Sequence, residues 1–556
     1  MELRSQRLRS AWLPTHAFTL LFVSGVSTAA PPNAGSILEN LNAAPALPSA
    51  GTGALPEEPM RPPLRRDAAV AIRVTAIRIT GVHAFPNEEL AALVADAAGR
   101  TLTLADLDEY AERISRHYRD AGYLLARAYL PAQDIIDGMV EIAVIEGRLG
   151  KLHIENDSSM PDAEVAARFA AVKGDAALDG LALERSLLLL NDLPNVEVKS
   201  TLKPGASVGT TDLDVRVDAK SPYAGSVEFD NFGNRFSGDL RLGASFSAGN
   251  LAGLSDTLAL RGVEAAGLSY GRAAWQVPVG SAGTQAGAAW SSMRYRLGHD
   301  FASLEAHGTA DIGSLYALHP FVRSRASNVT GQIDYDRKRL VDDVDLLGIS
   351  ARKTFDVLTT GLSGDHIDGF GGGGLVSWSV VYTAGRLDLD AGSKALDAAG
   401  HRTQGGYDKL SLSVSRQQSL GDDWALAARV QAQAAGKNLD SAEKVSLGGA
   451  YGVRAYPQGE APADDAWLAS LELRHAFAPG WQTSLFHDAA AGRLNHSPIP
   501  ADGVNRRRLS GIGLGLTYMR PARLLLQLGL AWRNTAAPDS DVDRGPRAWL
   551  QAIQRF

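Results

Sequence analysis

From Tyr223 to Phe556, 334 residues, the chain alternates apolar and polar side chains with a period of two and shows no helical pattern. Leu240, Leu242, Ala244, Phe246 and Ala248 point one way, while Asp239, Arg241, Gly243, Ser245 and Ser247 point the other. Leu410, Leu412 and Val414 alternate with Lys409, Ser411, Ser413 and Ser415, and Leu426, Ala428, Val430 and Ala432 with Ala427, Arg429 and Gln431. Ile512, Leu514, Leu516 and Tyr518 alternate with Gly511, Gly513, Gly515 and Thr517. Successive side chains of a strand face opposite ways, so each stretch is a strand with one greasy and one small or polar face. A soluble sandwich could alternate likewise, with polar faces outside and shorter connections. A transmembrane barrel turns the greasy face to lipid and the polar face to a lumen, with strands of about 9–11 residues. Lipid offers the backbone no partners, so such a ring must close. At about 20 residues per strand and connection, the segment makes about 16 antiparallel strands. Phe556 stands where the last strand should seal the ring.

The N-terminus supports export. Arg4, Arg7 and Arg9 precede the apolar stretch Ala17–Val26, followed by the small residues Ser27, Thr28, Ala29 and Ala30. That order is the pattern of a secretory signal peptide, residues 1–30; a buried helix of a cytoplasmic protein is the plainer alternative. No run of about 18 apolar residues occurs, which excludes a helical membrane protein. The chain has no cysteine, which excludes a thiol nucleophile, disulfides and Cys-ligated metal or iron–sulfur sites. With 55 Lys plus Arg against 62 Asp plus Glu, the net charge of −7 offers no basic excess for nucleic acid.

Between signal and barrel lie three further segments. Residues 31–66 hold eight of the 25 prolines and read as a linker. Ile37, Leu38 and Leu41 within it fall at helical spacing, so a short amphipathic helix over 34–43 could plug a pore; a tether without function is the alternative. Residues 67–148 give a strand over Ala69–Thr80, a helix from Pro86 to Gly99, a second helix with an apolar stripe from Leu104 to Tyr118, and a stop at Gly122. Strands Tyr123–Leu130 and Met139–Ile145 follow, ending at Glu146-Gly147-Arg148. Residues 149–220 repeat the order: strand Lys151–Glu155, helices Pro161–Val172 and Leu181–Asn191, strands Val196–Leu202 and Thr211–Val217. Two tandem β-α-α-β-β modules without a catalytic cluster are either spacers or binding units, since an edge strand can accept an extended peptide.

An exported chain with a Pro-rich segment, two such modules and a 16-strand barrel resembles the outer-membrane transporters of two-partner secretion, the hemolysin secretion/activation type. The modules resemble polypeptide-transport-associated (POTRA) domains. Three motifs carry the resemblance. Asp230-Asn231-Phe232-Gly233-Asn234, with Gly238, resembles the opening barrel hairpin. Gly452-Val453-Arg454-Ala455-Tyr456-Pro457 resembles the Val-Arg-Gly-aromatic tip of a loop folded into the lumen. Phe486-His487-Asp488, with Gly492, resembles the aromatic-x-acid motif on the facing strand. The sequence departs from the pattern at Ala455, where Gly is usual, and at Gln554, where an insertion signal favours an aromatic.

The resemblance implies that Arg454 reaches Asp488 inside the barrel; read from the residues alone, both could be solvated loop positions. It also implies a pore in a Gram-negative outer membrane, with its modules in the periplasm, that exports an unfolded partner such as an adhesin, hemolysin or contact-dependent toxin. The barrel assembly machinery would insert it among outer-membrane lipids. No Gly-x-x-x-x-Gly-Lys-Ser/Thr loop occurs, so no nucleotide is expected, and no cofactor or metal. The alternatives are a barrel assembly factor of the same superfamily, a passive porin and an enzyme. For the last, neither Gly-x-Ser-x-Gly nor His-Glu-x-x-His appears. The acids Asp334, Asp336, Asp342, Asp343 and Asp345 could hold a hard cation but lack EF-hand spacing.

Overall fold

The computed structural model describes residues 31–41, 71–172, 174 and 176–556. The signal peptide, most of the Pro-rich linker and the first residues expected in the first module lie outside the described residues.

In the first module the expected strand Ala69–Thr80 is two strands. Ala71–Arg73 pairs with Thr101–Thr103, whereas Ala76–Thr80 runs parallel to Met139–Ile145. The break sits where the Val74 N–H donates to Arg100 O at 2.9 Å and the Thr75 N–H to Gly138 O at 2.8 Å. Helix Leu104–Asp120 opens with Thr103 and Asp106 capping each other's backbone N–H groups and buries Leu107, Tyr110, Ala111, Ile114 and Tyr118. Gly122 ends it at a positive φ of 95°. The expected strand Tyr123–Leu130 shortens to Arg127–Tyr129, because Tyr123 turns inward to pack edge-on against Phe85 and Tyr118. The N–H groups of His83 and Ala84 and the Tyr118 hydroxyl all donate to Glu146 Oε1, at 2.6, 2.7 and 2.8 Å. Burial resists ionisation of Glu146, yet these bonds hold its carboxyl below the usual carboxylate range.

The second module pairs Arg148–Asn156 parallel to Thr210–Ala219 and Val196–Pro204 antiparallel to it. Its first helix, expected over Pro161–Val172, spans only Asp162–Ala167. Beyond it Arg168 turns toward the barrel and donates to Ser281 O at 3.3 Å. Arg185, on helix Gly180–Asn191, donates to the carbonyls of Pro320 and Ala282, and Arg323 grips Asp192 through two bonds of 2.7 Å. The module is thereby docked on short turns at one end of the barrel.

The barrel is a closed ring of 16 strands, each antiparallel to its neighbours. Leu410, Leu412, Val414, Ile512, Leu514 and Leu516 are exposed on its outer face, where lipid lies. The seam joins Arg547–Arg555 to Tyr223–Asp230 through the paired residues Gln551–Arg555 and Ser226–Asp230. Phe556 prolongs it, exchanging two backbone bonds of 3.0 Å with Gly225 while its ring covers that glycine. Strand lengths are uneven: 8 and 9 residues at the seam against 18 and 20 in Ser327–Val344 and Ile349–Asp368. Connections on the module side are all short, and on the other side most are longer; the longest is 436–464.

Candidate functional site: an occupied lumen

Loop 436–464, between strands Trp424–Ala435 and Asp465–Ala478, folds back into the barrel. At its tip Val453, Ala455 and Tyr456 are buried, and Arg454 meets the wall. Arg454 Nε donates to Asp488 Oδ2 at 2.8 Å and Nη2 to Oδ1 at 2.9 Å, a two-pronged grip, while its backbone N–H donates to Oδ2 at 3.1 Å. Nη1 donates to Glu472 Oε2 at 2.9 Å and Nη2 to Ser470 Oγ at 3.2 Å. The guanidinium lies 3.3 Å above the centre of the Phe486 ring. The edges and one face of the planar cation are thus engaged by groups held on two neighbouring strands. A buried pair of this kind adds little net stability over apolar packing, but losing one partner costs about 3–5 kcal/mol because a charge is stranded. It therefore fixes one position for the loop.

The wall makes room for the tip with glycine. A Cβ on Gly511 would strike the Ala455 methyl, and one on Gly513 would strike the Phe486 ring. Ala455 itself has no positive φ, so the alanine found where glycine is usual creates no backbone strain. Gly492 faces Ala463 and Ala466 at the loop's return, where a Cβ would lie 2.9 Å from Ala463.

The opening hairpin meets the same assembly. Asp230 is buried against Arg241 at 2.8 Å and accepts the Phe232 N–H. Asn231 bonds the backbone of Ala548 and Leu550 on the last strand at 2.9 and 2.8 Å, continuing the seam where the ladder stops. Gly233 runs so close to Gly238 O that no side chain fits there. Phe232 packs edge-on against Tyr451 and Trp549, and Trp549 Nε1 donates to Arg454 O at 2.6 Å. Pro457 lies beside this hairpin, whose Asn234 Nδ2 donates to Gln458 O at 3.4 Å.

Across the lumen, helix Ala34–Leu41 sits inside the barrel. Ile37 and Leu38 are buried and Leu41 half-buried against Met293, Tyr295, Leu340, Phe355, Val357 and Leu387 of the inner wall. The Ala34 N–H donates to Asp342 Oδ1 at 2.7 Å, Ser441 Oγ to Asn33 Oδ1 at 2.8 Å, and Ser446 Oγ to Glu39 Oε2 at 3.0 Å. The helix therefore touches both wall and loop. The base of the loop is held by Glu443, between Lys338 at 2.7 Å and Lys409 at 3.0 Å, and by Asp440 on Lys353 at 2.9 Å. The acids read as a candidate cation site do not form one. Asp342 is engaged by the helix, Asp343 and Asp345 face His307, and no metal-holding cluster occurs among the described residues.

A family model described as haemolysin secretion/activation protein ShlB/FhaC/HecB matches residues 209–518, and one for the ShlB-type POTRA domain matches residues 72–147. The chain belongs to the haemolysin secretion/activation protein family. Among curated relatives, the heme/hemopexin transporter protein HuxB of Haemophilus influenzae is 27% identical over 482 residues, 84% of each chain. CdiB from Escherichia coli has the same fold, with a TM-score of 0.71 at 20% identity over 94% of this chain and 96% of that one. CdiB from Acinetobacter baumannii gives 0.64 at 16% over 90% and 95%. As a member of the haemolysin secretion/activation family, the chain is an outer-membrane transporter with its N-terminal modules in the periplasm, a two-partner secretion barrel that exports a partner protein. The expectations of a 16-strand barrel and of this family are borne out.

Several residues of this family member's lumen escaped the sequence. Glu472, Ser470, Trp549 and Glu443 join Arg454 or the loop base from positions distant in the chain. The apolar inner wall around the helix was also missed, although Leu340, Phe355 and Leu387 interrupt an otherwise polar face and could have signalled it.

Proposed function

We propose that this barrel moves its partner in unfolded form, captured along a free sheet edge of the periplasmic modules, while helix 34–41 and loop 436–464 keep the resting pore closed. The carrying observation is that two elements of the chain itself fill the lumen, one by apolar contact and one by an ion pair, above a docked binding module. A passive porin needs neither. The domain plan follows: signal peptide 1–30, linker with plug 31–66, modules 67–148 and 149–220, barrel from 221. Partner engagement shifts the population toward an open lumen. Folding of the partner outside biases its movement, so no nucleotide is spent and the chain performs no catalysis. Insertion among outer-membrane lipids falls to the barrel assembly machinery.

Two measurements test this reading. Conductance of the reconstituted mature chain should be small and fluctuating, and large and steady once residues 31–66 are deleted; a large constant conductance in both would favour a porin. A signal-bearing candidate partner co-expressed with the chain should reach the medium only when residues 71–219 are present. Undiminished release without them would remove the modules from the mechanism.

A further inference from the structure

The outer face of five adjacent strands changes character at one row. Across Thr284–Arg296, Ala306–Arg323, Ser327–Val344, Ile349–Asp368 and Gly374–Leu389, the register aligns Ala288, Leu315, Tyr335, Leu358 and Ala384. The next row toward the loop end holds Trp290, Gly313, Arg337, Asp356 and Arg386. Nearer the modules the outward side chains include Ile333, Leu362, Val380 and Tyr382, all exposed. The lipid-facing band therefore ends at this row, and arginines begin.

Beyond it, Arg294, Thr309, Val341 and Arg352 form a single row, with Arg339 one row nearer the lipid between them. Strands lie about 4.8 Å apart, so the stems of Arg294 and Arg352 start about 14 Å apart. Their long side chains reach the space over Thr309 and Val341. Arg294, Arg339 and Arg352 are exposed and form no ion pair with any described residue. The aspartates on this face are mostly engaged: Asp356 by Tyr335 and Arg337, Asp343 by His307, Asp388 by the Gln404 amide. Of these only Asp356 has a cation beside it, and Asp311 stands directly opposite Arg339 in the ladder.

A second feature lies on the same strands nearer the modules. A lipid-facing groove of about 500 Å³ runs over Gly331 between Phe321, Ile333, Leu362, Val380 and Tyr382. From Gly331 to Arg339 is about 27 Å along the strand, or about 20 Å of depth at a barrel tilt of about 40°, the span of a sugar headgroup and one acyl chain together. That depth matches an acyl chain hung from a headgroup held at the arginines. Guanidinium forks suit phosphate, which they bind through paired hydrogen bonds.

We propose that this face binds one phosphorylated, multiply acylated glycolipid of the outer leaflet, its phosphate on Arg294, Arg339 and Arg352 and one acyl chain in the groove over Gly331. The inference rests on the outer-membrane location and is independent of how the pore is gated.

The test uses the full mature chain in detergent and native mass spectrometry. The probes are a bis-phosphorylated hexa-acyl diglucosamine lipid, its dephosphorylated counterpart and phosphatidylglycerol. The wild-type chain should hold the phosphorylated glycolipid more than about tenfold more tightly than either comparator. Arg294→Gln/Arg339→Gln/Arg352→Gln should lose that advantage, and Arg523→Gln on a module-side turn should keep it. The triple Lys variant, which keeps the charge but not the fork, should fall between and carries the test if the Gln variant does not fold. Equal affinity for phosphatidylglycerol, or unchanged binding in the folded triple Gln variant, would overturn the proposal.

Discussion

The strands from Asp465–Ala478 to Arg506–Arg520 meet the loop tip with glycines, carboxylates and one aromatic ring. The strands from Thr284–Arg296 to Gly374–Leu389 meet the helix with Met293, Leu340, Phe355, Val357 and Leu387. The first contact is directional: each guanidinium nitrogen of Arg454 has an acceptor, and only one loop position satisfies them. The second is mostly apolar burial, which is non-directional and proportional to area, and it involves eight helical residues. A charged anchor resists sliding, whereas the short helix has no ion pair to break and loses, besides apolar contact, only the hydrogen bonds at Asn33, Ala34 and Glu39. The difference teaches which of the two elements is built to be removed.

The comparison is most strongly tested at Arg454. Arg454→Ala leaves the Asp488 carboxylate buried and unpaired, so about 3–5 kcal/mol of loop anchoring is lost. Export should fall by more than about tenfold, and a double-mutant cycle with Asp488→Ala should return a coupling above about 1 kcal/mol. A coupling near zero would reduce the tip to a filler like the helix. Next in size, Gly513→Val pushes into Phe486 and should cost about 1–3 kcal/mol. It should show as faster hydrogen exchange at the Arg454 amide.

Replacing Ile37 and Leu38 together by serine removes up to about 1.5–3 kcal/mol of apolar burial each. Open time in single-channel records should rise more than about tenfold, with exchange at the Arg454 amide unchanged. A change at both places would show the two anchors to be one. The smallest effect lies outside the barrel, at Glu146. Its carboxyl is held below the ordinary value of 4.5, so its contribution is present above that pH and is lost as pH falls through the lower folded value. Protection factors of the His83 and Ala84 amides, taken relative to intrinsic rates at each pH, should fall over that acid window, and Glu146→Gln should flatten the dependence.

Much of this was legible in the sequence, because alternation reports which face of a strand meets lipid. Strand number followed from alternation and length, and the loop and wall motifs from short runs of residues. What escaped depends on pairing across long separations. Nothing near Trp549 says that its indole N–H will cap Arg454 O, and nothing near Glu443 points to Lys338 and Lys409. Between Val74 and Ile77 the apolar positions change from even to odd, a slip in phase that marks the junction of the two strands but does not say that they join different sheets. The helix was legible from Ile37, Leu38 and Leu41, but its receptor was not. An apolar residue on the inner face, such as Phe355, reads the same as a slip in register until the strand is placed.

Leu41 in the lumen and Ala71 in the first module are joined by one continuous chain. Fully extended, the residues between them reach roughly 100 Å at about 3.3–3.6 Å each. The helix is therefore an intramolecular ligand of its own pore, and ligands joined to their sites in this way have effective concentrations of about a millimolar. A partner arriving from solution at about 1 μM would start at a disadvantage of about a thousandfold, or about 4 kcal/mol. First binding the modules makes the partner local as well, so that the contest for the lumen is between two tethered segments.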